Sequence, residues 1–512
     1  MSSYHQNPPS RLAKTAKGIQ WNSWSLGAAT VLAGLTAQSL LASGPVPKPS
    51  PSIESCLGNV CAGRTDCVQF PNQKNASKAT SWMAPFNLGQ IVTPTAIVRP
   101  KDAQEVASVV RCAIKHGVKV QAKSGGHGWG NHGLGGEDGA ISVDMEHFQY
   151  TQDAGTNNIR VGGGTRLSQI DEHLSGAQRA IPHGMCMGIG IGGHATVGGL
   201  GPMSRMWGTT LDHVEEVEVV TANATIVRAS SKENSDLFFA MRGAGAGFGI
   251  VTDFVMRTRR APSSALHFNQ SFSYSHPKEI AEVLLTWQSI ATDQTLDNRF
   301  STEMVFGPSG ARISSTWFGS EAELYQTDIL NRVQSIGGSL ATRQETWNGS
   351  LARLAAEEAL HTAPTPNKLY SKSLGLSSSH ILSNSEIASL LASLPAELMA
   401  EDWSIKFQAA GGAVAEVPVG STAYAHRDKV MFYQSYAPDA LNTTRASLGD
   451  FHRKLLNTLP NAAGTYPGFV DAELRAPQSS YWGSGLAVLE EIKAQWDPED
   501  VFHNPQSVAA RV

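Results

Sequence analysis

Cys186 stands in the longest glycine-rich run of the chain, HGMCMGIGIGGHATVGGLGPMSRMWG, which carries nine glycines between Gly184 and Gly208. His127 ends a second such loop, Lys123-Ser124-Gly125-Gly126-His127-Gly128, and a third runs from Gly243 to Gly249. Glycines at this density usually mean close approach of backbone to a ligand, and successive exposed N–H groups form a concavity suited to a pyrophosphate. Imidazole and thiol are the nucleophiles available in the first two loops. None of the three loops matches the Walker phosphate motif. None reads GxGxxG opening a helix with an acid about 20 residues further on, so a Rossmann nucleotide fold is disfavoured. The bland reading, three ordinary glycine turns, fits one loop as well as it fits any turn, but it fits three poorly when a histidine and an unpaired cysteine lie within them. Cysteine parity agrees: of the five cysteines, Cys56, Cys61, Cys67 and Cys112 can pair as two disulfides in an oxidising compartment, which leaves Cys186 over.

The elements that must hold these loops can be read around them. Thr93 onward predicts a short strand, then a helix capped by Asp102 with Val106, Val109, Val110 and Ala113 on its apolar face. A strand from Val118 to Ala122 then runs into the glycines, completing a β-α-β unit. Strands are predicted at Ala140–Asp144 and Asn158–Val161, a helix at Thr165–Leu174, and a hairpin turn at Asn223 within HVEEVEVVTANATIVRAS. Past Pro262 the glycine density falls. Helices are predicted at Lys278–Ala291, Glu321–Ile336 and Ser385–Leu394, strands at Trp403–Gln408 and Val430–Tyr436, and one tail helix from Tyr481, stopped by Asp497-Pro498.

At 512 residues the chain has room for about three folded units, and its formal charge of -4, without a basic run interleaved with aromatics, argues against a nucleic-acid partner. Hydrophobic residues at 41% and charged residues at 16% exclude a disordered or coiled-coil chain. Residues 1–43 read as a signal peptide or signal anchor, with Arg11, Lys14 and Lys17 before an apolar stretch, and residues 44–55 as a Pro/Ser linker that opens on GPVPKPSPS. Acceptor triplets for N-glycosylation occur at Asn75, Asn223, Asn269, Asn348 and Asn442. With the signal they predict the secretory lumen or secretion, and no membrane association unless the signal stays uncleaved.

Several long motifs, in order, carry a resemblance: PTAIVRPKDAQEVASVVRCA, AKSGGHGWGNHGLGG, the Cys186 run, SDLFFAMRGAGAGFGIVT, LYSKSL, TAYAHRDKV and YWGSGLAVLEEIKAQWDPEDVFHNPQSV. The chain resembles the berberine-bridge-enzyme-like FAD-linked oxidases of the vanillyl-alcohol-oxidase superfamily, the branch that includes oligosaccharide oxidases. The resemblance implies an α+β fold: a PCMH-type two-subdomain FAD-binding domain over 56–261, an antiparallel-sheet substrate domain covered by helices over 262–474, and a segment over 475–512 returning to the first domain. It implies bicovalent FAD, with His127 bonded to the flavin 8-methyl carbon and Cys186 to ring carbon 6. It also implies cofactor contacts from Lys123, Ser124, Gly125, Gly126 and Gly128, from Gly188, Gly192 and Gly193, and from Gly249, Ile250 and Val251. His194 is placed either beside the ring or in a structural role, and Tyr481 as a tail residue reaching the flavin. The asparagine and arginine expected after that tyrosine are Gly485 and Val488 here. By the same resemblance Cys56 partners Cys112, while Cys61 and Cys67 either close a local loop or stay free.

A flavin oxidase takes hydride from a carbon bearing OH or NH while a base accepts the heteroatom proton, and oxygen then reoxidises the cofactor to give hydrogen peroxide. In the sugar-oxidising relatives a tyrosine, assisted by an aspartate on a neighbouring strand, is that base. Here Phe469 and Gln408 align with the two, and strand alternation puts Tyr466 on the opposite face. The loss leaves the catalytic base unassigned and points to a more apolar pocket, suited to a hydrophobic specialised metabolite rather than a sugar. Trp129, Tyr370, Lys372, Lys406, Tyr433 and Tyr436 are further pocket candidates. Four alternatives stand beside this reading. They are an oligosaccharide oxidase making lactones; a flavoprotein cyclase or pericyclase without net redox; a cysteine hydrolase reading Gly184-Met185-Cys186-Met187-Gly188 as a nucleophile elbow; and a metal enzyme using His127, His132, His183 and His194. The hydrolase lacks the apolar strand an elbow needs, and the metal enzyme lacks both HExxH and CxxC spacing, so no metal is expected.

Overall fold

Asp102 accepts a hydrogen bond from the Glu105 backbone N–H at 2.9 Å and starts the helix Ala103–His116, which Gly117 ends at φ 65. Its buried face is Val106, Ala107, Val109, Val110, Cys112 and Ala113, the stripe that the 3.6-residue period requires. The computed structural model describes residues 52–71, 82–360, 365–379, 381–459 and 464–511. The signal segment 1–43, most of the linker and the Asn75 triplet lie outside the described residues.

This helix connects two parallel strands, Ala96–Val98 and Val120–Lys123, but they are not neighbours: Ile141–Asp144 lies between them and pairs with both in parallel. Val68–Gln69 adds an antiparallel edge. Disulfides join Cys56 to Cys112, clamping the helix Ile53–Val60 onto Ala103–His116, and Cys61 to Cys67, leaving Cys186 as the free cysteine. A second sheet is antiparallel, in the order Thr151–Asp153, Asn158–Gly162, Ile250–Arg257, Val214–Val220, Ile226–Ser230. The hairpin turns at Asn223, whose side-chain oxygen accepts from the Thr225 backbone N–H at 3.1 Å.

The third sheet has seven antiparallel strands in the order Ser339–Thr346, Ser264–Phe272, Gly310–Trp317, Phe300–Gly307, Ser404–Ala409, Lys429–Pro438, Leu369–Ser377. One face packs on helices that include Ala281–Ala291, Asn384–Leu391 and Asn442–Thr458, burying Trp287, Trp317, Phe300, Met304, Ile405 and Phe407. Period-two alternation then sends Ser301 and Glu303 from one strand, and Lys406 and Gln408 from the next, to the other face.

Two predicted helices differ in the structure. Glu321–Ile336 is broken into Glu321–Leu324 and Ile329–Ser335, because the Thr327 hydroxyl donates to the Leu324 carbonyl and accepts from the Ile329 N–H, competing with the helical ladder. The tail is Pro477–Trp482 and Leu486–Trp496, interrupted at Gly483 with φ 47. Its second half is anchored by the buried Lys493 ammonium, which donates to Asp497 at 2.7 Å and to the carbonyls of Gly247 and Phe502 at 2.7 and 3.0 Å. The third glycine loop is thereby tied to the C-terminal segment.

Candidate active site

The first two glycine loops meet through their backbones. A Cβ on Gly125 would lie 2.3 Å from the Gly190 nitrogen, one on Gly190 would lie 2.2 Å from the Gly125 nitrogen, and one on Gly188 would lie 2.6 Å from His127 Nε2. Packing of loop on loop by itself requires glycine at these positions. Gly192 and Gly249 are likewise pressed against protein, at 2.4 Å from the Gly163 carbonyl oxygen and from Val219 Cγ1. Gly128 and Gly193 face open space, with nothing within 4 Å of a Cβ. Ser124 Oγ donates to the Gly163 carbonyl at 2.6 Å, and Lys123 Nζ donates to the Trp82 carbonyl at 3.0 Å. Gly126 turns with φ 73, while Ile250 and Val251 open a buried strand of the second sheet.

Across that junction His127 Nδ1 lies 3.6 Å from Cys186 Sγ, although 59 residues separate them in the chain. Burial, with Arg166 nearby, lowers the His127 pKa to about 4, so the imidazole is neutral at physiological pH. Burial, reinforced by the Glu358 carboxylate, raises the Cys186 pKa, so the thiol holds its proton until a base takes it. His194 is buried, its pKa lowered to about 3 by burial and by His183, and its Nε2 accepts the Gly184 N–H at 3.0 Å. It therefore props the cysteine loop while lining the cavity beside it.

That cavity, of about 130 Å³, is lined by Cys186 and His194 from the glycine loop, by Ser301, Glu303, Lys406 and Gln408 from the seven-stranded sheet, and by Tyr466 and Phe469. Sequence reasoning placed Phe469 and Gln408 in one pocket, and the structure brings them together. It corrects the placement of Tyr466: residues around 466–471 form a turn, not a strand, so alternation does not apply. Both aromatic side chains reach the cavity with ring centroids 5.0 Å apart. The Tyr466 oxygen accepts the Gly199 N–H at 2.8 Å, and burial raises its pKa to about 12.

The pocket is also less apolar than expected. Lys406 Nζ lies 3.3 Å from Glu358 and 4.0 Å from Glu303, and Glu357 lines the same wall. Burial would depress the Lys406 pKa, but Glu358 and Glu303 outweigh it and the ammonium is held charged. Burial, with Glu358 and Glu357 close by, raises the Glu303 pKa. The three carboxylates were missed in sequence. The alternation of Ser301 and Glu303 against Phe300 and Met304 was a usable signal, but nothing local says which strand lies beside Ser404–Ala409. Glu303 is in register with Gln408 across the two strands.

Tyr481 is not among the side chains lining this cavity. Its hydroxyl donates to Gln506 at 2.9 Å, and Gln506 donates in turn to the Asp471 carbonyl at 2.7 Å, so it fastens the tail to the turn that carries Phe469. Trp129 stacks on Phe469 at 6.4 Å. Tyr433 is enclosed in the sheet core. Among the described residues no three His, Cys, Asp or Glu converge as metal ligands, and no helix is long and apolar enough to cross a membrane.

A family model described as an FAD binding domain matches residues 94–230, and one described as berberine and berberine like matches residues 465–509. The FAD-linked oxidoreductase sorD of Penicillium rubens is 37% identical over 465 residues, covering 89% of this chain and 98% of the relative. The chitooligosaccharide oxidase of Gibberella zeae is 30% identical, covering 93% and 98%. Among solved structures, the glucooligosaccharide oxidase from Acremonium strictum, described with a 6-S-cysteinyl, 8α-N1-histidyl FAD, superposes with a TM-score of 0.79 at 28% identity, covering 90% of this chain and all of that one. The residues of this chain suit that cofactor: a neutral imidazole and a free thiol are side by side, with open space beyond Gly128 and Gly193.

Gly125→Ala forces a methyl against backbone that cannot rotate away. It is expected to cost about 1–3 kcal/mol and to lower the flavin-to-protein absorbance ratio, whereas Gly176→Ala, in open space, leaves both unchanged. Thermal melts and absorbance spectra of the purified variants check this.

Proposed function

The chain belongs to the berberine-bridge-enzyme-like FAD-linked oxidases, and on that premise we propose that it oxidises a hydroxyl- or amine-bearing carbon of a small specialised metabolite, with oxygen as acceptor. Phe469 and Gln408 in one cavity with Cys186 carry this reading, because the phenol and carboxylate of the sugar-oxidising relatives are absent from those positions. The substrate is amphipathic: an apolar part rests on Phe469 and Tyr466, and polar groups meet the wall of Glu303 and Lys406. FAD is bound bicovalently, through His127 and Cys186. The division 56–261, 262–474 and 475–512 is retained as the domain organisation. Two disulfides favour an oxidising compartment, and we assign the protein to the secretory route.

When bound, FAD supplies hydride acceptance from the substrate carbon and passes the electrons to oxygen. This chain's residues do the rest. Lys406, fixed between Glu358 and Glu303, orients a polar substituent, and Phe469 excludes water over the reacting face. Glu303 accepts the heteroatom proton. It stands opposite Gln408 in register, its ion pair to Lys406 is long at 4.0 Å, and burial keeps its carboxylate ready to take a proton. The Tyr466 oxygen, held by the Gly199 N–H, fixes the far side of the substrate.

The attachment test is acid denaturation: His127→Ala and Cys186→Ala each leave flavin on the polypeptide, and only the double variant releases it. Unchanged absorption in Cys186→Ala would overturn the thioether. The substrate class is tested by oxygen uptake on a panel of alcohols, amines and mono- and oligosaccharides. Wild type turns over specialised metabolites in preference to sugars, and Phe469→Tyr with Gln408→Asp gains sugar oxidation. For the base, a raised pKa means that Glu303 is protonated, and idle, at low pH. The ascending limb of kcat/KM therefore lies above the ordinary carboxylate range. Glu303→Gln is expected to remove that limb and to slow anaerobic flavin reduction by about 10²-fold or more.

A further inference from the structure

Four of the acceptor triplets for N-glycosylation fall among the described residues, at Asn223, Asn269, Asn348 and Asn442, and the fold treats them unequally. Asn269 lies within Ser264–Phe272, a strand paired on both sides, opposite Ser314 on one neighbour and Ala341 on the other. Its amide is spent inside the protein: Nδ2 donates to Glu357 at 3.2 Å, and Oδ1 accepts from the Ser314 hydroxyl at 3.0 Å. An oligosaccharide there would stand between the sheet and the helix Trp347–Ala359 that carries Glu357, so a chain bearing one could not complete this layer.

Asn348 and Asn442 are exposed, but each sits in the first turn of a helix, Trp347–Ala359 and Asn442–Thr458. The hydroxyl residues of their triplets, Ser350 and Thr444, are buried. Side chains two apart on a helix do not face each other, so amide and hydroxyl cannot be presented together once these helices have formed.

Asn223 is placed differently. It stands at the reversal between Val214–Val220 and Ile226–Ser230. The turn buries Ala222 and Ala224 against the core beneath the first sheet and leaves Asn223 and Thr225 exposed. Ala224 takes the left-handed conformation, with φ 60, that closes the turn. Thr225 donates twice to Asn223 Oδ1, from its hydroxyl at 2.6 Å and from its backbone N–H at 3.1 Å. Asn223 Nδ2 donates to no group among the described residues. One exposed turn therefore presents the free amide nitrogen together with the hydroxyl that recognition of such a triplet requires.

We propose that Asn223 carries an N-linked oligosaccharide, more fully than Asn348 or Asn442, and that Asn269 carries none. The proposal rests on the secretory route assigned above, because the donor is a polyprenyl-diphosphate oligosaccharide of the secretory membrane. Asn223 Nδ2 bonds to the anomeric carbon, the bond from that carbon to the diphosphate oxygen breaks, and one amide proton leaves to a base of the transferase. Modification of Asn348 and Asn442 must precede their helices, whereas the Asn223 turn is accessible before and after folding. Ile226–Ser230 is the edge strand of the second sheet, so a glycan at this turn also screens an unpaired strand edge.

The test is peptide mapping of the full chain expressed in a eukaryotic host and released with peptide-N-glycosidase in heavy-oxygen water, which marks each occupied asparagine as labelled aspartate. Asn223 is expected to show a labelled-to-unlabelled ratio at least about twofold above that of Asn348 or Asn442, with no label at Asn269. Thr225→Val, which keeps the asparagine but removes the hydroxyl, should abolish label at Asn223, and Thr225→Ser should retain it. That pair keeps the question decidable if Asn223→Gln disturbs the hairpin. Asn223 unlabelled in a secreted chain, or labelled without that excess, would overturn this proposal and leave the secretory route standing. No label at any triplet in a chain retained in the cytosol would overturn both. Label at Asn269, or label at Asn223 that survives Thr225→Val, would also overturn the proposal.

Discussion

Backbone contact between two glycine loops is the constraint on which the rest of the site depends. Gly125 and Gly190 approach so closely that neither tolerates a Cβ, and that approach alone brings His127 within 3.6 Å of Cys186. The surrounding architecture serves the contact. The parallel strand Val120–Lys123 delivers the first loop, and the Arg166 and Gly190 backbones bridge the second to the start of helix Leu167–Ser175. His194 holds Gly184, and Lys493 ties the third loop to the tail. An isolated imidazole or thiol would be an ordinary buried side chain. Side by side, they present two nucleophiles of different chemistry to one space.

Charge in the reaction cavity is set by burial acting on a small cluster rather than by the net charge of the chain. Lys406 remains an ammonium because two carboxylates compensate the loss of water, and Glu303 is pushed toward its neutral form because neighbouring acids add to that loss. The seven-stranded sheet makes this possible. Its alternation buries Ile405 and Phe407 against helices while presenting Lys406 and Gln408 to the flavoprotein half of the site.

The tail holds one wall of the reaction cavity. Tyr481, Gln506 and the Asp471 carbonyl form a hydrogen-bonded chain that fixes the turn bearing Phe469, so that wall of the reaction cavity is held from the C-terminal segment. This explains how a tyrosine in the berberine-like segment can matter to the site without lining it.

Much of this protein was legible in its sequence. The Asp102 cap and Gly117 end of the first helix, the Asn223 turn, the glycine loops and the odd cysteine are local signals, decided by hydrogen bonding and sterics within a few residues. The family motifs extended that reading to cofactor and fold. Other features depended on what lies beside a segment. Whether 466–471 is strand or turn, which strand faces Ser404–Ala409, and whether Tyr481 spends its hydroxyl on Gln506 are decided by long-range pairing. The sequence alone determined the periodicity that sends Glu303 to a sheet face. Only the tertiary structure placed that face opposite Cys186, because register between strands about 100 residues apart is set by packing that no local pattern encodes.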